Sequence, residues 1–242
     1  MLPYNKSIIL LPTYNEIDNI EDMLIALTAL SPDLSILVLD DGSPDGTADV
    51  VKKMQAGNDH INLLQRSGKQ GLGKAYLAGF KWALENSFDS IFEIDCDFSH
   101  DPKDVPRLLE AAQTHDLAIG SRYIGGIRII NWPIHRLLLS YGASIYIKLV
   151  TSMKINDPTG GFKCFTRKAL ESLQLDKILC NGYSFQVELN YKIWSQDFKI
   201  KEVPITFTER RDGESKMSGG IVWEAIFAVF KLRLKRILGT LN

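Results

Sequence analysis

Cysteine is scarce. Cys96, Cys164 and Cys180 stand far apart in a chain of 242 residues, and no CxxC pair occurs. A disulfide framework and a zinc knuckle are therefore not expected, and a reducing compartment is. An excess of either charge is also lacking. Twenty-eight Lys and Arg against 29 Asp and Glu leave a net charge of −1, which argues against a general nucleic-acid binder with its basic surface. Long apolar runs are missing too. Leu137–Ile147, and Met217–Phe230 with Glu224 inside it, both fall short of the roughly 20 residues that span a bilayer. The early apolar run Ser7–Leu11 is too short for a signal-peptide core. The four histidines, His60, His100, His115 and His135, show neither HxH nor HExxH spacing, and no GxSxG elbow is present. His100, beside an acidic stretch, could help shape it, with a surface or capping role the plainer reading.

What is present is an ordinary globular composition, 45% hydrophobic and 24% charged, long enough for one large domain or one domain with a small appendage. Apolar runs at Ser7–Leu11, Ser35–Leu39, Ile61–Gln65, Ser90–Ile94 and Asp116–Gly120 lack strict alternation, as strands covered on both faces do. Helical patterns lie between them, at Ile17–Leu30, Thr47–Gln55, Leu72–Glu85 and Lys103–Thr114. Such alternation predicts βαβ units and a parallel sheet, with ligands bound beyond the carboxyl ends of the strands. The second half differs. Arg128–Met153 predicts a long helix starting near Pro133, Asp157–Phe165 a glycine-containing loop entering a strand, Tyr183–Gln196 a helix, Phe198–Thr208 a strand and Ile221–Leu238 a last helix, with a polar stretch at Glu209–Gly220 before it.

Each loop after a strand has two readings. Pro12-Thr13-Tyr14-Asn15-Glu16 offers a strand-stopping proline and a ring beside a carboxylate that could hold a flat base, or simply a turn with Asn15 as helix cap. Asp40-Asp41-Gly42-Ser43-Pro44-Asp45-Gly46-Thr47 contains turn chemistry, while Asp41 could accept hydrogen bonds from a base or ribose. Gly68–Ala75 approaches the phosphate-loop pattern GxxxxGK[ST] but ends in Ala75, which has no hydroxyl for magnesium. A P-loop ATPase is disfavoured on that ground. Asp95-Cys96-Asp97 at a strand end brings two carboxylates together. That suits Mg²⁺ or Mn²⁺ with substrate phosphates, and helix capping is the plainer alternative. Glu209–Lys216 supplies cations, either for phosphates or as a solvated loop.

Taken in order, PTYNE, DDGSPDGT, GLGKA, DCDFSHDP, SRY (Ser121–Tyr123), DPTGGFK (Asp157–Lys163) and GESK (Gly213–Lys216) resemble the inverting family-2 glycosyltransferases, and within them the dolichol- or polyprenol-phosphate mannosyltransferases. The resemblance spans about residues 5–217. It implies an α/β fold of the GT-A nucleotide-diphospho-sugar transferase type, with a Rossmann-like, mostly parallel sheet flanked by helices. It implies a catalytic domain over 1–217 and an amphipathic helix over 218–242. It implies transfer of mannose, with inversion, from GDP-mannose to a polyprenyl or dolichyl phosphate with Mg²⁺ or Mn²⁺. Pro12, Tyr14, Glu16, Leu39 and Asp41 would line the guanine–ribose pocket. Asp95, Cys96 and Asp97 would form the DxD region, with Asp97 the main metal ligand and Ser99 where some members use Gln. Arg122, Arg210 and Lys216 would contact donor or acceptor phosphates, and Arg136 the lipid phosphate.

A lipid phosphate carries an ionised oxygen near neutral pH, its second pKa being about 6. It needs positioning more than a strong base, in keeping with the absence of an obvious catalytic dyad. Enzyme use of a UDP-sugar such as UDP-glucose, and a silent nucleotide-binding module of a membrane complex, remain the alternatives. In the last helix Glu224, Ala228, Lys231 and Lys235 share a stripe, Trp223, Phe227, Phe230 and Leu234 another face, and Arg233 and Arg236 stand near its end. That pattern suits a membrane surface, a membrane partner subunit, or packing on the core. The expected location is cytoplasmic, peripheral to the cytoplasmic face of a membrane.

Overall fold

The computed structural model describes residues 2–178, 183–209 and 219–241. The first half is β1 (Ser7–Thr13), α1 (Ile17–Thr28), β2 (Ser35–Asp40), α2 (Thr47–Gln55), β3 (Ile61–Gln65), α3 (Leu72–Glu85), β4 (Ser90–Glu93), α4 (Val105–Ala112) and β5 (Leu117–Ser121). The second is β6 (Ile129–Ile130), α5 (Ile134–Thr151), β7 (Lys163–Thr166), α6 (Arg167–Glu171), α7 (Tyr183–Ser195), β8 (Ile200–Pro204), β9 (Phe207–Thr208) and α8 (Gly219–Ile237).

Seven strands form one sheet in the order β3-β2-β1-β4-β7-β5-β8. It is mostly parallel, with β7 running against both of its neighbours. The apolar runs without alternation are explained by cover on both faces. Ile8 and Leu10 of β1 join a core with Tyr76, Phe80, Phe185 and Leu232, while Ile9 and Leu11 join another with Ile20, Leu24, Val51 and Leu108. Helix α3 approaches the sheet most closely at Gly79, where a Cβ would stand 2.9 Å from methyls of Leu10 and Leu39. After β3 the chain crosses to the other side of β1, so the strand order reverses between β1 and β4. A crevice opens there at the carboxyl ends of the strands, where such sheets bind ligands.

Three expectations change. Pro12 does not stop β1: it pairs in register with Leu39, and Thr13 with Asp40. The β4 side of the ladder ends at Leu10 opposite Glu93, so the missing proline N–H meets no neighbouring strand. The segment Phe198–Thr208 is two strands, since Pro204 closes β8 and the chain then turns out to pair β9 with β6 in a second, two-stranded sheet. The long helix begins at Ile134, as Pro133 leads one to expect, but the segment before it is not featureless: Ile129–Ile130 is a strand that periodicity did not show.

Candidate active site

Loops after β1, β2 and β3 lock together at one side of the crevice. Asp40, fully buried, is the organiser: Thr13 Oγ1 donates to its Oδ1 (3.1 Å), Gly42 N and Ser43 N to its Oδ2 (3.1 and 3.0 Å), and Ser43 Oγ to its Oδ1 (2.5 Å). Gly42 takes a φ of 71° to close this turn, a conformation favouring glycine. The β2 loop also starts α1. Thr47 Oγ1 accepts from Glu16 N (3.0 Å) and Asp45 Oδ2 from Ile17 N (3.1 Å), while Asn15, at φ 59°, caps nothing. The cap is thus supplied across the loops by residues 45 and 47 rather than by Asn15. The Asp45 carboxyl is held below its usual range: partial burial raises it, but the hydrogen bonds from Thr47 and Ile17 outweigh that.

Asp41 is buried and paired with Arg66 Nη1 at 2.7 Å, and it accepts from Gln70 N at 3.2 Å. Lys69 lies over the Tyr14 ring at 4.2 Å. Arg66 and Lys69 were not singled out from the sequence; they enter because β3 delivers its loop beside β2. Two expected pocket residues do not present side chains to the crevice. Leu39 is fully buried against α3, and Cys96 is buried in the core on the opposite face, its thiol pushed well up by burial.

Strand β4 ends at Glu93, and Asp95 and Asp97 follow, on the side of the chain opposite Cys96. The Asp95 side chain is 36% exposed. Asp97 is buried and accepts from Ser99 N at 3.0 Å, in a turn where Phe98 adopts φ 57°. The Ser99 hydroxyl is buried with no hydrogen-bond partner among the described residues. Two carboxylates and an inward hydroxyl are a hard oxygen set that fits Mg²⁺ or Mn²⁺ completed by phosphate oxygens and water. Among the described residues, no group of three or more His, Cys, Asp or Glu side chains forms a metal cage without substrate. His100 is a correction. It is buried between Phe162 and Phe207, its Nδ1 3.7 Å from Asp95 Oδ2, and burial lowers its pKa to about 4. It is a neutral wall of the site. The fold drew it inward because β9 passes over the acidic loop, Phe207 bridging to His100 and Thr208 N donating to Ser99 O.

The SRY and DPTGGFK motifs meet. Asp157 accepts from Arg122 Nε (2.7 Å), Nη2 (2.6 Å) and backbone N (2.9 Å), and Arg122 Nη2 also reaches Thr159. Burial raises the Asp157 carboxyl, but the Arg122 charge and these bonds hold it below its usual range. Glu202 of β8 fixes the loop, accepting from Ser121 Oγ, Asn156 N and Asp157 N. Arg122 is buried, and its fork is directed at a carboxylate.

Arg136, in the first turn of α5, lies 4.0 Å from the Trp132 ring centre, and its Nη1 is 2.5 Å from Glu209 Oε2. Trp132 packs edge-on against Phe207. Trp132 and Glu209 carried no sequence signal of their own: they flank β6 and end β9, elements too short to leave a period. Lys163 and Glu93 face each other across β7 and β4, fully buried and 3.9 Å apart, with Lys163 also donating to Gln186. Burial raises the Glu93 pKa to about 7 and lowers that of Lys163 to about 8, each opposed by the other's charge. Arg210 and Lys216 lie outside the described residues.

The profile of Glycosyl transferase family 2 matches residues 8–174. The chain is 44% identical over 220 residues to an undecaprenyl-phosphate mannosyltransferase of Micrococcus luteus, covering 91% of this chain and 90% of that one. It is 42% identical to a polyprenol monophosphomannose synthase of Mycolicibacterium smegmatis, covering 94% and 86%. To a dolichol-phosphate mannosyltransferase of Pyrococcus furiosus it is 33% identical, covering 94% and 63%. Among solved structures, glucosyl-3-phosphoglycerate synthase from Mycobacterium tuberculosis with UDP superposes at a TM-score of 0.70, with 19% identity, over 94% of this chain and 79% of that one. The same enzyme with Mn²⁺, UDP and glucosyl-3-phosphoglycerate gives 0.64 over 97% and 79%. At that identity the likeness is one of fold, and the fold is the expected GT-A type.

Proposed function

The chain belongs to Glycosyl transferase family 2, and from that membership we propose that it moves mannose from GDP-mannose to a polyprenyl or dolichyl phosphate with inversion, using Mg²⁺ or Mn²⁺. The observation that carries this reading is the acidic Asp95–Asp97 loop at the sheet's reversal point, joined by β9 to the Arg136–Trp132 corner. The identity to polyprenol-phosphate mannosyltransferases supports the sugar and the class of acceptor. Tyr14, with Lys69 over its ring, is the face for the base. Asp41, already held by Arg66, orients that wall of the pocket.

In the reaction a phosphate oxygen of the acceptor attacks the anomeric carbon in line. The bond from that carbon to the donor diphosphate breaks, and its electron pair leaves with GDP. Bound at Asp95 and Asp97, a divalent cation would offset the charge growing on that diphosphate. Arg210 and Lys216 would supply cations to donor or acceptor phosphates. Arg136 holds the attacking phosphate. No side chain has to remove a proton, because the attacking oxygen is already ionised. His100, kept neutral by burial, and the Phe162 and Phe207 rings beside it wall off one side of the acidic loop.

The lipid reaches the site along a surface. Ile134, Leu138, Tyr141, Ile145 and Leu149 of α5 are exposed at helical spacing, beginning two residues before Arg136. Helix α8 contacts α5 and exposes Phe227, Phe230, Leu234 and Ile237, with Lys231 exposed and Lys235 and Arg236 half-buried nearby. Val229 and Leu232 on its other face join the core. The Trp223 and Glu224 side chains lie outside the described residues. No helix among the described residues is long and apolar enough to cross a membrane, and this surface is read as a peripheral contact with anionic lipid.

Transfer assays with GDP-mannose, UDP-glucose and a polyprenyl phosphate test the reading. Mannosyl-lipid formation from GDP-mannose is expected. Preference for UDP-glucose would move the assignment to the UDP-sugar alternative, and nucleotide binding without turnover to the silent module.

A further inference from the structure

Glu209 is held against Arg136 from the chain end that leads into the Arg210–Lys216 segment. Its backbone is fixed, since Glu209 N donates to Ile130 O at 3.1 Å and Phe207 N to Arg128 O at 2.9 Å, as β9 lies on β6. One carboxylate oxygen, Oε2, meets Arg136 Nη1. The guanidinium does not depend on that contact for its place, because it lies on the Trp132 ring and its side chain is only 13% exposed. Two further N–H donors at this corner, Arg136 Nε and Trp132 Nε1, are buried with no hydrogen-bond partner among the described residues. A carboxylate that engages one Nη leaves them unmet. A phosphate monoester brings three acceptor oxygens and up to two charges, and satisfies such a fork better.

Resting on the reading of Arg136 as acceptor site, we propose that Glu209 is a stand-in anion. It occupies the acceptor-phosphate position on Arg136 while the site is empty, and the incoming lipid phosphate displaces it. The carboxylate keeps a half-buried guanidinium paired between turnovers and discriminates against weaker anions, which cannot outcompete it.

The alternative is that Glu209 merely orients Arg136, and the two predict opposite signs. Binding of farnesyl phosphate, a short soluble polyprenyl phosphate, is measured calorimetrically on the full chain for wild type, Glu209→Gln, Arg136→Ala and the double variant, with farnesol as the uncharged control. Glu209→Gln is expected to tighten farnesyl phosphate roughly three- to fivefold, the size of a half-exposed ion pair. The gain should vanish when Arg136 is absent, and farnesol should show none. Glu209→Ala carries the same expectation should the glutamine variant fold poorly. Unchanged or weaker binding by Glu209→Gln overturns the stand-in role, as does an equal gain in both Arg136 backgrounds. Arg136→Ala binding as tightly as wild type would instead remove Arg136 from the acceptor site, a separate failure that the same titrations report.

Discussion

The two walls of the crevice are built differently. The wall proposed to bind the donor consists of loops that directly follow β1, β2, β3 and β4, each a short contiguous motif. Its ties run between neighbouring loops, as when Asp40 gathers Thr13, Gly42 and Ser43 and Asp41 takes Arg66. The wall proposed to bind the acceptor is assembled from distant pieces: Arg136 from α5, Trp132 from the turn before it, Glu209 from the end of β9, and Arg122 set by Asp157. A wall made of strand ends inherits its rigidity from a buried sheet. A wall made of single side chains on short elements depends on each ion pair. The donor side should therefore fail in chemistry and keep its fold, and the acceptor side should respond to pairwise changes.

The largest effect is expected on the donor wall. Asp97→Ala should lower transfer by about a hundred- to a thousandfold, the scale of losing a transition-state charge partner, with the thermal midpoint nearly unchanged. Near wild-type turnover with Mg²⁺ or Mn²⁺ would remove Asp97 from the metal site. Beneath that wall the buried pair gives a stability contrast. Lys163→Met leaves the Glu93 carboxylate buried and alone and should cost about 3 kcal/mol in urea unfolding at pH 8, much of it recovered in the Glu93→Gln/Lys163→Met double variant. Additive losses would show that the two do not act as a pair.

On the acceptor wall, Arg136→Ala should lower kcat/KM for polyprenyl phosphate by about thirtyfold, near 2 kcal/mol, and leave GDP-mannose affinity unchanged. Equal losses for both substrates would erase the distinction between the walls. Asp157 sharpens it through pH. Its folded pKa is depressed, so its contribution is present above the unfolded carboxylate value of about 4 and is lost as pH falls through the folded value. The stability gap between wild type and Asp157→Asn should be widest near neutral pH and close in acid; a gap independent of pH would contradict the pairing with Arg122.

The smallest effect concerns the surface. Deleting α8 would expose the core that Val229 and Leu232 cover, so the clean test is Phe227→Ser with Phe230→Ser. The variant should lose sedimentation with anionic vesicles while remaining folded. Wild-type binding should weaken with salt, each basic residue near the surface contributing about 1 kcal/mol. Undiminished binding by the double serine variant would place the contact elsewhere.

The sequence by itself determined most of the donor wall. Apolar runs without alternation, separated by helical patterns, point to a mostly parallel sheet covered on both faces, and α2, β3 and α3 keep the limits their residues predict, Thr47–Gln55, Ile61–Gln65 and Leu72–Glu85. Its motifs were legible because the residues that act together there are neighbours in the chain. Tertiary structure decided what those motifs do and which other residues join them. It turned Asp41 to Arg66, sent the Leu39 and Cys96 side chains into the core, and buried His100 under Phe207. It also brought Glu209 to Arg136, 73 positions apart. None of these has a local signal, because side-chain direction and long-range pairing follow from how β7 and β9 pass across the sheet, and strands of two to four residues carry too little periodicity to announce that path.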